Sequence, residues 1–66
     1  MTMALTERER DVLQAMADLG SVAKVSEHLR IAPNTVSVHL ATIRLKLRVD
    51  STMAAVVQAM RNGLIT

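Results

Sequence analysis

Aromatic residues, cysteine and glycine are absent or scarce in this chain of 66 residues. There is no Phe, Trp, Tyr or Cys, and only two Gly and one Pro are present. Without cysteine the chain has no disulfide framework and no cysteine-based metal site, and without aromatics its core must be aliphatic. Two glycines do not make a glycine-rich phosphate-binding loop. Stability of so small a domain must therefore come from tight helix packing, from a partner, or from both.

Long apolar runs are also missing. No run approaches the ~20 residues that span a bilayer, and residues 1–4 lack the basic region and apolar stretch of a signal peptide. The absence of cysteine is compatible with a reducing compartment. We therefore expect one domain over residues 1–66, a cytoplasmic location and no membrane partner.

The basic residues are concentrated in one part of the chain, although the formal net charge is only +2. Residues 28–48 contain no Asp or Glu, and their four cations are Arg30, Arg44, Lys46 and Arg48. A local basic segment is what a surface facing a polyanion requires. A solvated helix face is the alternative interpretation.

The spacing of apolar residues predicts four helices, at about 6–19, 22–29, 33–48 and 52–62, in an all-α fold. Thr6 and Glu9 have the spacing of a capping box, and Gly20 can end the first helix in a left-handed conformation. Ser21 can cap the second helix. Pro33 suits the first position of the third.

The third predicted helix has two different faces. The core face is predicted from residues that fall within about 60° of one another on a helical wheel: Val36, Leu40, Ile43 and Leu47. The opposite face carries Asn34, Ser37, Val38, Ala41, Arg44, Leu45 and Arg48. The side chains of this outward face are small at the beginning of the helix and basic at its end. The helix can therefore approach another surface closely and bind negative charge on that surface.

A short helix, the tight turn Ala32-Pro33 and a longer helix are typical of a helix-turn-helix, whose second helix enters the major groove of DNA. Asn34 and Ser37 can hydrogen-bond to base edges, and Val38 can contact a thymine methyl group. The residues predicted to contact double-stranded DNA are Asn34, Thr35, Ser37, Val38, Ala41, Arg44, Lys46 and Arg48.

The fourth predicted helix has an apolar arc of about 200°, wider than the roughly 100° of an ordinary amphipathic helix. Part of this arc should pack on the first and third helices. The rest is either exposed aliphatic surface or the contact with a second copy. If a second copy binds here, we predict that Thr52, Ala55, Val56 and Ala59 form the contact, and the shortness of the helix predicts a weak homodimer or a monomer in free solution. The five Met are predicted to be core filler, His39 half-buried and His28 exposed.

Several motifs resemble the LuxR/GerE family of bacterial transcription regulators, without gaps over residues 5–65. Residues 5–13 look like its opening L-T-x-R-E-x-x-V-L, and residues 35–39 resemble its T-V-x-x-H. Ile43, Lys46, Leu47 and Val49 are similar to its I-x-x-K-L-x-V, and Ala55-Val56, Ala59 and Gly63-Leu64 to its last helix. The resemblance implies four helices, DNA binding as a dimer and transcription regulation, with helix 3 in the groove and helix 4 in the dimer contact.

The chain departs from the family pattern where positive charge is expected. Ser37, Ala41 and Thr52 stand where family members often carry basic or base-contacting residues. The lysine near the start of the second helix is displaced by one position, to Lys24. Ala32 replaces a capping serine, which costs around 1 kcal/mol. The chain therefore reads a less polar site, or it binds DNA weakly.

Two other functions agree with parts of the pattern. The promoter-recognising domain of sigma factors has a similar opening but normally lacks the fourth helix. A protein-interaction module would use helix 4 or the surface of Val38 and Leu45 to bind another protein. Nothing in the sequence supports an enzyme, a cofactor or a metal site, because no nucleophile motif is present and the carboxylates lie mostly in the first helix. Both a free-standing regulator and a domain of a longer chain agree with the sequence.

Overall fold

The computed structural model describes residues 4–66, and in these residues the chain forms four α-helices and no strand. They are α1 (Glu7–Leu19), α2 (Val22–Leu29), α3 (Pro33–Leu47) and α4 (Thr52–Arg61). The predicted all-α fold is confirmed, and its helix ends differ by no more than one residue because Thr6, Arg48 and Asn62 are caps. The expectation about the amino terminus rests largely on residues 1–3, outside the described residues.

Three of the four helices begin with a side-chain cap. The Thr6 hydroxyl accepts from the Glu9 amide at 3.1 Å, and a Glu9 carboxylate oxygen accepts from the Thr6 amide at 2.8 Å, which completes the predicted capping box. Ser21 and Ser51 each accept from the amide three residues later, at 3.2 and 3.1 Å. Gly20 ends α1 with φ of 82°, a conformation that costs glycine little. The polar residues around the turns therefore define where the helices start and stop.

The turn before α3 is built differently. Ala32 occupies the N-cap position with no side-chain hydrogen bond, and Pro33 starts the helix with φ already fixed. Arg30 ends α2 in a left-handed conformation, and the Ser26 hydroxyl donates to the Ile31 carbonyl at 2.6 Å. These contacts hold α2 and α3 in the short connection of a helix-turn-helix.

The core is aliphatic, and α1 and α3 each contact all three of the other helices. The largest completely buried side chains come from α1, α2 and α3: Val12, Leu13, Val25, Val36 and Ile43. The core face predicted for α3 is confirmed, with Leu40 buried and Leu47 partly buried against the core.

The carboxy-terminal segment folds back on the core, which the sequence pattern did not predict. The Leu64 amide donates to the Ala59 carbonyl at 2.8 Å, so the chain reverses after α4. Ile65 is then buried, and the Thr66 amide donates to the Gln14 side chain of α1 at 2.8 Å. The segment after α4 thus covers part of α1.

The methionines do not all fill the core. Met16 packs against it, but Met53 and Met60 of α4 expose 78% and 46% of their surface. The prediction of core filler is wrong for these two because α4 buries its alanine side, with Ala55 and Ala59 in the core. Met1 and Met3 lie outside the described residues.

One buried ion pair joins the beginning of α1 to the end of α3. Lys46 Nζ lies 2.7 Å from Glu9 Oε1 and also donates to the Ala4 carbonyl at 3.2 Å. Burial alone raises the pKa of Glu9, but the hydrogen bond and charge of Lys46, together with hydrogen bonds from Thr6, outweigh it. The pKa of Glu9 is therefore lower than its ordinary value.

We expect Lys46→Met to destabilise the domain by about 3 kcal/mol, because it leaves the Glu9 carboxylate buried without its cation. Chemical denaturation measures the change, and Lys24→Met on the exposed surface of α2 is the matched control, expected within about 0.5 kcal/mol of the parent. Adding Glu9→Gln, which keeps an acceptor for the Thr6 amide, should recover part of the loss. Equal stability of the two lysine variants would show that the pair contributes nothing.

We also expect this ion pair to make stability dependent on pH. A carboxylate whose pKa is lowered by folding stabilises the folded state above its unfolded pKa of about 4.3, and the contribution is lost as the pH falls through the folded value. Below about pH 5, the thermal unfolding temperature of the parent should therefore fall more steeply with acidification than that of Glu9→Gln. Parallel declines would contradict a lowered pKa at Glu9.

Candidate nucleic-acid interface

The outward side of α3 is exposed along its amino-terminal half. We define the recognition face as Asn34, Ser37, Val38 and Ala41. The first three side chains are exposed, Val38 by 57%, and Ala41 is half-buried. The opposite side of the same turns is anchored in the core by the buried Val36 and Leu40. The helix-turn-helix thus holds a small-sided helical surface away from the body of the domain.

This recognition face is uncharged, and arginines lie around it. Residues 33–43 contain no Asp, Glu, Lys or Arg. Arg30 is exposed at the turn before α3, and Arg48 is exposed where α3 ends. Arg44 is half-buried, and its guanidinium donates to Thr52 Oγ1 at 3.1 Å. A polyanion that meets α3 would find cations at both ends and no carboxylate in between.

Arg30 was not among the residues predicted to contact DNA, and its side chain is exposed immediately before the turn that leads into α3. Arg30 and Arg48 both adopt left-handed backbone conformations, with φ of 58°. Such a conformation costs a residue with a side chain about 1 kcal/mol or more, and glycine avoids the cost. The sequence signal was its position immediately before the turn Ile31-Ala32-Pro33, where it lies close to the amino end of α3.

Lys46 is engaged within the domain, so its predicted phosphate contact gains no support from the geometry and stays a prediction. Its ammonium group is held by Glu9 and the Ala4 carbonyl, and only 16% of its side-chain surface is exposed. Lys46 was grouped with Arg44 and Arg48 because all three are cations near the end of α3. Its partner, Glu9 of α1, is distant in sequence and could not be identified from the local pattern. The remaining predicted contacts, Thr35 included, are on the accessible part of α3.

The residues predicted for a dimer contact divide into two groups. Ala55 and Ala59 expose 1% and 0% of their surface, so a second copy cannot reach them, and their predicted contact role is wrong. Thr52 and Val56 are half-buried. The wheel of α4 did not reveal which part of its apolar arc faces the core, because alanine fits a close helix crossing and larger residues do not.

The exposed apolar side of α4 carries larger residues. We define the α4 face as Met53, Val57 and Met60, which expose 78%, 42% and 46% of their surface. A shallow groove runs beside it, lined by Val49, Ser51, Met53, Ala54, Val57, Gln58, Arg61 and Asn62. This side of α4 is available to a partner without any rearrangement of the core.

Histidines and carboxylates do not gather in a site. His39 is half-buried and His28 is exposed, as predicted. Among residues 4–66, no three His, Cys, Asp or Glu side chains lie together in a way that could hold a metal ion. Within the same residues, no helix has the length and apolar character needed to cross a membrane.

Comparisons with known proteins agree with the geometry. The family model for bacterial regulatory proteins of the luxR family, GerE, matches residues 3–59. The "Probable transcriptional regulatory protein NarL" of Mycobacterium tuberculosis is 39% identical over 61 residues, which cover 92% of this chain and 28% of NarL. The "Transcriptional regulatory protein DegU" of Brevibacillus brevis is also 39% identical over 61 residues, covering 92% and 26%.

A third relative is the "Transcriptional activator protein SolR" of Ralstonia nicotianae, 39% identical over 62 residues that cover 94% of this chain and 26% of SolR. The chain therefore spans about a quarter of the length of these relatives. All three are described as regulators or activators of transcription.

A solved structure supports the same assignment over nearly the whole chain. "Structure of Transcription factor, GerE" superposes with a TM-score of 0.86 and 29% sequence identity, covering 97% of each chain. The sigma-factor alternative lacks support, because α4 is present and the family match includes most of it. The predicted resemblance is confirmed: the chain belongs to the LuxR family of bacterial regulatory proteins.

Proposed function

We propose that the chain binds a specific double-stranded DNA site as a homodimer, with α3 in the major groove, and thereby regulates transcription. Family membership implies DNA binding and transcription regulation. The observation that carries the finer proposal is the exposed, uncharged recognition face with cations at both ends. Insertion of α3 uses this surface directly.

The dimensions of α3 suit the proposed insertion. A major groove about 12 Å wide admits an α-helix, and small side chains let the helix axis approach the base edges. Asn34, Ser37, Val38 and Ala41 are all small or medium in size. Arginines at the ends of the helix can hydrogen-bond to phosphate oxygens, which fixes the position of the helix without reading sequence.

Arg44 has a second role in this proposal. Its hydrogen bond to Thr52 fixes the guanidinium between the end of α3 and the beginning of α4. A phosphate bound there would contact a side chain that is already partly ordered, which lowers the entropy lost on binding. It would also connect the DNA-contacting helix to α4.

The dimer contact is proposed on the α4 face, with Thr52 and Val56 at its edge. Two copies related by a twofold axis bury the same surface of each, and two half-sites about one helical turn apart then follow on the DNA. Three exposed apolar side chains on a helix of 10 residues make a small contact. We therefore propose that the dimer is weak in free solution and forms on DNA.

A protein-interaction module is the second candidate, favoured by the exposure of the α4 face and of Leu45, which exposes 77% of its surface. In that case α4 binds a different protein and α3 carries no nucleic acid. Salt separates the two candidates, because an apolar protein interface responds weakly to salt whereas phosphate contacts respond strongly.

The proposal predicts steep salt dependence in a titration against duplex DNA. Suppose that each of Arg30, Arg44 and Arg48 neutralises one phosphate, which makes about six phosphates per dimer. The slope of log affinity against log salt is then about −5, and affinity falls roughly 1,000-fold between 50 and 200 mM salt. Arg44→Gln should reduce the slope by about 2 per dimer, because one contact is lost in each copy. An unchanged slope would remove Arg44 from the phosphate contacts.

Ser37→Glu tests the insertion of α3 itself. A carboxylate on the exposed recognition face should lower affinity at least about 100-fold, because it lies against base edges and phosphates. Thr66→Glu adds the same charge beside α1 and should lower affinity only slightly. Selection of bound sequences from random duplexes should enrich a twofold-symmetric site. No binding at 50 mM salt would defeat the DNA-binding proposal for this chain alone.

Val57→Glu tests the dimer. It should leave the affinity for an isolated half-site unchanged and abolish cooperative binding to a full site, because it places a charge in the proposed apolar contact. Thr66→Glu adds the same charge to an exposed residue beside α1, away from the α4 face, and should keep the cooperativity. Cooperative binding that survives Val57→Glu would locate the dimer contact elsewhere.

A further inference from the structure

We propose that the recognition face reads A·T base pairs, through contact of Val38 with the C5-methyl group of thymine and hydrogen bonds of Asn34 with adenine. The inference rests on the proposed insertion of α3 into the major groove and specifies which bases that insertion selects. Its three supports are the absence of charged residues from positions 33–43, the exposure and shape of Val38, and the position of Asn34.

The first support is the absence of the side chains that read G·C pairs. Guanine is most often bound by Arg or Lys, which donate to O6 and N7, and the cytosine amino group by Asp or Glu. Residues 33–43 contain none of these four residue types. Arg44 is the first cation, and it lies about 15 Å along the axis from Asn34 and is bound to Thr52. Charge on either side of the face still favours DNA as its occupant.

The second support is Val38, which exposes 57% of its surface. Its side chain has no hydrogen-bonding atom, and a β-branched residue in a helix has one strongly preferred rotamer. Two methyl groups are therefore held out in a fixed direction. The C5-methyl of thymine is the apolar group that a base pair displays in the major groove. Ala41, three residues later on the same side, is small enough to leave room for that methyl.

The third support is Asn34, exposed in the first turn of α3. Residues near the amino end of the second helix are the ones that reach base edges in a helix-turn-helix. The amide of asparagine offers one acceptor and two donors, which match the N6 amino group and N7 of adenine. Asn34 and Val38, the two residues of the face that distinguish between bases, thus both match A·T pairs. Ser37 can hydrogen-bond to more than one base and does not distinguish between them.

Replacement of thymine by deoxyuridine in the selected site is the direct test, since it removes the C5-methyl and keeps every hydrogen bond. Loss of one buried methyl group corresponds to about a fourfold weaker affinity, or roughly 15-fold for one thymine in each of two half-sites. Val38→Ala should bind thymine and uracil duplexes equally. Val38→Ile, which keeps a β-branched apolar side chain at the same position, should retain the preference for thymine.

Substitution of 7-deaza-adenine tests Asn34 in the same way, because it removes only the N7 acceptor. The parent should lose about tenfold or more in affinity, and Asn34→Ala should be insensitive to the substitution. Equal affinity of the parent for thymine and uracil duplexes, or selected half-sites with G·C pairs opposite α3, would overturn this inference while sequence-selective binding remained. Absence of all binding at low salt would instead defeat the proposed function and the inference with it.

Discussion

The ion pair between Glu9 and Lys46 is the constraint on which the orientation of α3 depends. Glu9 Oε1 receives both the Thr6 amide and the Lys46 ammonium, so a single carboxylate starts α1 and fixes the far end of α3. The aliphatic core below it contains no ring that could be packed in only one way, and branched chains of similar volume tolerate small rotations. A directional polar contact adds the specificity that this core provides less strongly. The ion pair holds the carboxyl end of α3, and the buried Val36, Leu40 and Ile43 keep the opposite side of the helix facing outward.

Local chemistry was enough to predict most of the fold. Capping side chains, Gly20 and the single proline act within a few residues of where they stand, and the period of the apolar residues distinguishes inside from outside on α3. The same reasoning failed where the deciding contact is distant in sequence. Lys46 pairs with a residue 37 positions away, and Ile65 returns to α1 after α4 has ended. Neither contact leaves a mark in the local pattern.

The fourth helix shows a different limit. Its apolar arc was correctly identified as too wide for one contact, but a helical wheel does not state which residues face the core. The structure shows that α4 turns its small side chains, Ala55 and Ala59, into the core and leaves the long Met53 and Met60 exposed. Side-chain volume is therefore a better guide than hydrophobicity when an arc contains both alanine and methionine.

The two left-handed arginines carry a consequence for how this domain can change. Positions that terminate helices in this conformation are ordinarily occupied by glycine, which would relieve the backbone at Arg30 and Arg48. Each glycine would also remove a cation next to the proposed DNA contact. Folding and binding consequently favour opposite residues at the same two positions. Selection for heat resistance alone would favour glycine at these positions, which gives a more stable domain with lower affinity for DNA. Selection for affinity alone would keep Arg30 and Arg48 despite their backbone strain.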